Sequence, residues 1–178
     1  MSERARGSGT GAGADPPVLR DGTPVAAWMF KANPEVWDVV GFLRTGADVD
    51  SWRMAPSYRI DLVRPGHRCV LWVTGARTAA WTPGVWALGE ITSRPFDDVG
   101  DAEDHRWRDL SARDRVRPHV MCRMDPVEPI PRSDLAADPR FASAEILRRP
   151  RMGSPLAVTA RQLSAIDDQV SPPAPERR

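Results

Sequence analysis

The chain has 178 residues, 41% of them hydrophobic and 28% charged, and its 25 basic and 24 acidic side chains leave a net charge of +1. That length suits one domain with a sizeable core, since domains cluster near ~100–150 residues. The balanced charge excludes a protein that coats duplex nucleic acid electrostatically, which would need a strongly basic face, but leaves open the recognition of one nucleotide in a pocket.

In chain order, residues 1–23 are rich in Gly, Ser, Ala and Arg without an apolar stretch, and read as a disordered tail rather than a signal peptide. Val25 to Ala32 is expected as a strand with Trp28 and Phe30 on one face and Lys31 on the other. Lys31 is the only lysine, the other 24 basic residues being arginine. It is either an accident of an arginine-biased composition or a compact point donor for a small pocket. A helix is expected from Pro34 to Arg44. Asn33 suits its N-cap, Pro34 its first position and Glu35 its dipole, and Val36, Val39, Val40 and Leu43 recur at helical spacing. Ser51 to Tyr58 should be irregular or a short helix.

Arg68 to Thr74 and Gly84 to Thr92 are expected as strands, followed by a charged, turn-rich loop from Ser93 to about Arg115 and a strand from Val116 to Val127. Short helical pieces are expected near Ser133 to Leu135 and from Asp138 to Leu147. The final helix carries the clearest local signal: Thr159 and Gln162 form a capping box, Val158 and Leu163 a hydrophobic staple, and the helix runs to about Asp168. Residues 170–178 read as a second disordered tail, leaving one domain over 24–169. Several strands with short peripheral helices give an α+β class, most simply a small, partly open β-barrel.

Cys69 and Cys122 fall inside expected strands and read as reduced core thiols, which points to the cytoplasm. No run approaches the ~20 apolar residues of a membrane span. His119 and Cys122 invite a zinc reading, but on a strand they face opposite sides and no second tight Cys pair exists. There is no Gly-Lys-Ser phosphate loop, no Gly-x-Ser-x-Gly elbow and no helical His-Glu pair, so neither enzymatic activity nor a metal or cofactor is expected.

Lys31-Ala32-Asn33-Pro34-Glu35 after an apolar strand, then Trp52, Tyr58, Leu71-Trp72-Val73-Thr74-Gly75 and Gly84-Val85-Trp86-Ala87-Leu88-Gly89-Glu90-Ile91 form an ordered series. Together with Pro129-Ile130, Ala144 to Leu147 and Gly153-Ser154-Pro155-Leu156, this series resembles an EVE domain of the PUA-like superfamily, which also holds the YTH and ASCH domains. The resemblance implies a PUA-like barrel whose mouth takes a flipped, usually modified, base of DNA or RNA without catalysis. It also implies work beside restriction systems, and the protein is expected to be monomeric. Two departures lie near the expected mouth. Lys-Ala-Asn-Pro stands where many relatives have Lys-Ser-Glu-Pro, and Ala79 to Pro83 are inserted, with Trp81 at the tip of the insertion.

Trp52 corresponds by that resemblance to an early cage tryptophan, the alternative being a surface-covering ring packed on the barrel. Trp107 is either the second wall, as in YTH relatives, or an anchor for the charged loop. Tyr58 is either a slot wall or a core ring with a surface hydroxyl. Lys31, Asn33 and Thr74 are candidate readers of the base edge, although capping alone would account for Asn33 and strand termination for Thr74. Arg148, Arg149 and Arg151 are candidate phosphate contacts if they border the mouth, and otherwise a solvated charge run. Asp97, Asp98, Asp101, Glu103 and Asp104 would repel a backbone, so their loop should face away or act as a gate. Trp28, Trp37, Trp72 and Trp86 are assigned to structure. Alternatives of another class are a PUA-like module for structured RNA or a free nucleotide, and a protein-interaction module in which the tryptophans are simply core.

Overall fold

The computed structural model describes residues 16–76 and 79–170. The chain runs β1 (Ala27–Ala32), α1 (Val39–Arg44), β2 (Val49–Arg53), a 3-10 turn (Tyr58–Leu62), β3 (Arg68–Val73), β4 (Gly84–Ile91) and β5 (Phe96–Asp98). It continues through α2 (Leu110–Arg113), β6 (Arg117–Pro131), α3 (Arg132–Ala137), α4 (Glu145–Arg148), β7 (Leu156–Val158) and α5 (Ala160–Asp167).

One seven-stranded mixed sheet has the order β2-β6-β4-β3-β1-β7, with β5 added on the first residues of β6. Only β1 and β3 pair in parallel. The architecture is α+β, and the sheet does not close: β2 and β7 are its edges. The segments beside those edges are joined by a backbone hydrogen bond from the Ala55 N–H to the Ser154 carbonyl at 2.8 Å. No described helix is long and apolar enough to cross a membrane.

Alternation on β1 divides the core. Trp28, Phe30 and Ala32 enter one cluster with Val39, Leu71 and Val73, while Ala27 and Met29 enter a second with Val70, Trp72, Phe141 and Ile166. A sheet covered on both faces explains why Cys69 to Val73 read as an unbroken apolar run. At Gly89 the β4 and β6 backbones approach so closely that any Cβ would collide with the Arg123 carbonyl.

The expected helix over 34–44 begins only at Val39, capped by the Asp38 carboxylate, which accepts the Gly41 N–H at 3.2 Å. Residues 36–38 instead exchange hydrogen bonds with a distant loop: Arg108 N–H to the Val36 carbonyl and Asp38 N–H to the Arg106 carbonyl, each 2.9 Å. That long-range bridge takes the groups a helix would have used. Of Ser51 to Tyr58, expected to be irregular or a short helix, the first three residues belong to β2, because β6 supplies their ladder, while 54–57 are irregular and Tyr58 opens the 3-10 turn. Most of the stretch from Asp138 to Leu147 forms turns, with α4 as its helical part. β7 went unread in the sequence. The α5 signal is realised in full: Thr159 N–H donates to Gln162 Oε1 at 3.0 Å, Gln162 N–H donates to Thr159 Oγ1 at 3.4 Å, and Val158 and Leu163 are buried.

Residues 16–23, expected as part of the tail, are packed. Leu19 is buried in the core, Val18 bridges Pro24, and the Arg20 guanidinium lies 4.1 Å from the Tyr58 ring centre. The remainder of both expected tails lies outside the described residues.

Cys69 and Cys122 are buried free thiols whose pKa values burial pushes up, Cys122 to about 12 and Cys69 further. Iodoacetamide at pH 8 should therefore leave both unmodified in the native protein and label both after unfolding, as read by intact mass. Fast labelling of the native protein would contradict this packing.

His67 makes a pH-dependent link. Its Nδ1 accepts the Trp28 indole N–H at 3.1 Å and the Arg64 backbone N–H at 3.2 Å, so the ring is neutral with its proton on Nε2. Burial, then the nearby Arg64 charge, lowers its pKa below the ordinary 6.5. The folded state thus binds this proton less readily than the unfolded one. The resulting stability is present above about pH 6.5 and declines as pH falls below it. Urea unfolding at pH 7 and pH 5 should show a loss of stability in acid that shrinks in His67→Gln. An equal loss in both would contradict the assignment.

Candidate nucleic-acid interface

A cavity of about 600 Å³ opens where the sheet fails to close, between the end of β1 and the edge strand β2. β1 and the turn after it contribute Lys31, Asn33 and Trp37; α1 contributes Phe42, β2 contributes Trp52 and Arg53, and the 96–107 loop contributes Asp98, Asp101, Asp104 and Trp107. Four of the six residues expected to form the pocket therefore meet here. The other two do not. Tyr58 lies on the 3-10 turn beneath Arg20, and Thr74 uses its hydroxyl to close the end of β3, donating to the Ala32 carbonyl at 3.0 Å.

Trp37, assigned to helix packing by the sequence, is the aromatic centre of the cavity. Its ring meets Trp52 edge-on, with centroids 6.1 Å apart and planes at 80°, and packs on Phe42 at 5.1 Å. Its indole N–H donates to Asp104 at 2.6 Å. An edge-to-face pair cannot sandwich a third ring, but it forms a corner: a planar ligand stacks on one indole and abuts the other. Trp107 bridges Trp37 through the backbone, and one of its faces is covered by the Arg53 guanidinium, 5.1 Å from the ring centre. Trp107 is thus both a wall and the anchor of its loop.

Charges around the cavity are mixed. The acidic loop does not face away; Asp98, Asp101 and Asp104 line the wall. On the Asp104 carboxyl, burial is the largest influence and raises the pKa. The Arg106 backbone N–H at 3.0 Å and the Trp37 indole outweigh it, so the group stays ionised below the usual range. Arg53, Arg115 and Arg117 oppose these carboxylates without forming an ion pair among the described residues. Arg53 donates to the Ala112 and Arg115 carbonyls, and its Nε is buried with no partner.

His119, not singled out for the cavity by the sequence, is 7% exposed and stacks beneath Phe96. Its Nδ1 lies 2.8 Å from the Arg117 carbonyl, which can only accept; Nδ1 therefore carries the proton and Nε2 is left as an acceptor. Burial holds its pKa down, so the ring stays neutral. Asn33 is exposed; its side-chain oxygen accepts the Glu35 N–H at 3.0 Å, which leaves its amide NH2 to donate.

Lys31 lines the cavity, but its ammonium donates to the carbonyls of Pro150 at 2.6 Å and Met152 at 2.9 Å. Burial lowers its pKa. These bonds tie the loop that carries the exposed Arg148, Arg149 and Arg151 to one residue of the cavity lining. Trp81 belongs elsewhere. It lies in a separate, largely apolar concavity of about 740 Å³ with Trp86, Pro83, Pro126 and Pro129, its indole N–H held by the Thr74 carbonyl at 2.8 Å.

The fold has solved counterparts. A Rhodopseudomonas palustris protein solved by NMR superposes with a TM-score of 0.53 at 20% identity, covering 81% of this chain and 92% of its own. A Pseudomonas putida protein reaches 0.56 at 15% identity, with 80% and 98% covered. Human THYN1, solved in complex with DNA containing 5-methylcytosine, reaches 0.50 at 13% identity, with 82% and 99% covered. At such identities the likeness is one of fold. No curated protein matches the chain. The EVE domain profile matches residues 26–168, nearly the whole described region, and the chain belongs to the EVE domain family.

Proposed function

We propose that the chain is a non-catalytic reader that holds one modified base of DNA or RNA, flipped from its stack, in the cavity between β1 and β2. The observation that carries this reading is the convergence of Trp37, Trp52 and Trp107 on a 600 Å³ recess at the open edge of a PUA-like sheet. Such a volume falls in the range of small-molecule sites, about 300–1,000 Å³. The THYN1 complex with methylated DNA supports nucleic acid as the partner class.

Extracting a base costs a few kcal/mol, and each aromatic stack returns about 1–3 kcal/mol. The Trp37–Trp52 corner offers one stack and one edge contact, so hydrogen bonds must supply the remainder. Asn33 donates through its NH2 and His119 accepts through Nε2, a complementary pair for a base edge. Burying one methyl contributes only ~0.8 kcal/mol, about a factor of four. Strong selectivity therefore needs a bulkier or charged modification, or an unmodified base that leaves cavity groups unpaired.

The test is titration of the full chain against matched DNA and RNA oligonucleotides that differ in one base modification. A preference of at least tenfold for one modification is expected. Equal, weak binding to all of them would overturn the reading.

A further inference from the structure

Lys31 was a candidate for reading the base, but two of its three protons are committed to the Pro150 and Met152 carbonyls. We propose that Lys31 is a positioning residue: it clamps the 148–152 loop to the cavity mouth, so that Arg148, Arg149 and Arg151 meet the phosphates beside the captured nucleotide. This rests on the nucleic-acid reading above.

The chemistry of the clamp suits lysine. Two carbonyls only two residues apart converge on a single nitrogen, which a compact ammonium serves and a planar guanidinium fork would splay. Pro150 has no N–H, so the backbone of that residue can be tied only through its carbonyl. Lys31 is the one partner of either carbonyl among the described residues. A second tether follows at once. The Ser154 carbonyl accepts the Ala55 N–H at 2.8 Å, and any Cβ at Gly153 would collide with the Ala55 methyl group. Lys31 and Ala55 both line the cavity, so the loop is fastened to the mouth at both ends.

The charge of the loop is free to act outward. Arg148, Arg149 and Arg151 are exposed, and none lies within 4.0 Å of a carboxylate among the described residues. Like Arg53, Arg115 and Arg117 in the cavity wall, these three guanidinium groups are left without a carboxylate partner among the described residues.

The experiment compares the full-length wild type with Lys31→Met, Lys31→Arg, the triple variant Arg148→Gln/Arg149→Gln/Arg151→Gln, and Lys31→Met added to that triple. Limited trypsin digestion reads the clamp. Cleavage after Arg148 and Arg151 should be slow in wild type, several-fold faster in Lys31→Met and intermediate in Lys31→Arg, which keeps the charge. Circular dichroism melts check that each variant is folded. Unchanged cleavage in both Lys31 variants would overturn the clamp.

Binding to the preferred oligonucleotide across a salt series reads the consequence. If the three arginines each meet a phosphate, Lys31→Met and the triple variant should each flatten the slope of log K against log salt by about 2–3. Combining them should add little. The ratio between modified and unmodified oligonucleotide should stay at its wild-type value. A fallen ratio with an intact slope would mean that Lys31 reads the base, and additive slopes would mean that it acts apart from the loop; either overturns the proposal. A wild type that binds no oligonucleotide would instead overturn the function proposed for the cavity and the phosphate role with it, whatever trypsin reports of the clamp.

Discussion

Replacing Trp52 with alanine is expected to weaken binding to the preferred oligonucleotide by about 5–150-fold, the equivalent of one lost base–aromatic stack of 1–3 kcal/mol. The fold should survive. Trp52 is half-buried on β2, an edge strand whose pairing with Val120 uses backbone groups that alanine retains. What the fold loses is the edge-to-face contact with Trp37, about 0.5–1.5 kcal/mol beyond area burial. Fluorescence anisotropy of a labelled oligonucleotide beside a thermal melt separates the two effects. Trp107→Ala is a poorer probe, because it also strips the surface on which Arg53 rests and loosens the 96–107 loop. Equal affinity in wild type and Trp52→Ala would remove the indole corner from the account.

Arg59→Met should cost about 3–5 kcal/mol of stability, the range for breaking one side of a buried ion pair. Arg59 is 5% exposed and grips Glu145 with two parallel bonds of 2.7 and 2.6 Å, while donating to the Pro155 carbonyl at 3.2 Å. Glu145 in turn accepts the Ala157 N–H at 2.8 Å. The pair thereby ties the 3-10 turn, α4 and β7 together, three elements that share no ladder with one another. Burial is the largest influence on Glu145 and raises its pKa, but the bonds from Arg59 and Ala157 outweigh it and hold the group below its ordinary 4.5.

The sign follows from linkage. A carboxyl with a lowered folded pKa stabilises the protein above its unfolded value, and that contribution is lost as pH falls through the folded value. Urea unfolding should show a large deficit for Arg59→Met at pH 7 that narrows below about pH 4. The double variant Arg59→Met/Glu145→Leu should recover part of the loss, since no charge is then left unpaired. A deficit below 1 kcal/mol for the single variant would contradict the buried geometry.

Local signals in the sequence were reliable where local interactions decide the structure. The capping box of Thr159 and Gln162 needs only four consecutive residues, and it formed. The β3 and β4 strands likewise follow from apolar runs buried on both faces. Signals failed where a distant partner decides. Val36, Val39, Val40 and Leu43 have helical spacing, yet the backbone of Val36 and Asp38 is claimed by residues 106–108, which turns Trp37 from a helix residue into the centre of the cavity.

The resemblance to EVE domains brought Trp52 and Trp107 to one recess, but Tyr58 and Thr74 stayed outside it because near neighbours satisfy them. Lys31 looked like a pocket donor, and it does line the pocket. Its partners lie about 120 residues ahead in a loop whose position no pattern near Lys31 could reveal. Of the two places expected for the acidic loop, facing away is excluded: its carboxylates are tolerated at the wall because Trp37 and Arg106 hold one of them and three arginines stand opposite.

Whether a base truly leaves its stack for this recess is measured most directly with a duplex carrying 2-aminopurine beside the preferred modified base. On saturation with wild-type protein the 2-aminopurine should brighten as its stacked neighbour departs, and Trp52→Ala at matched occupancy should give much less brightening. Full occupancy by wild type with unchanged emission would contradict base capture in the cavity.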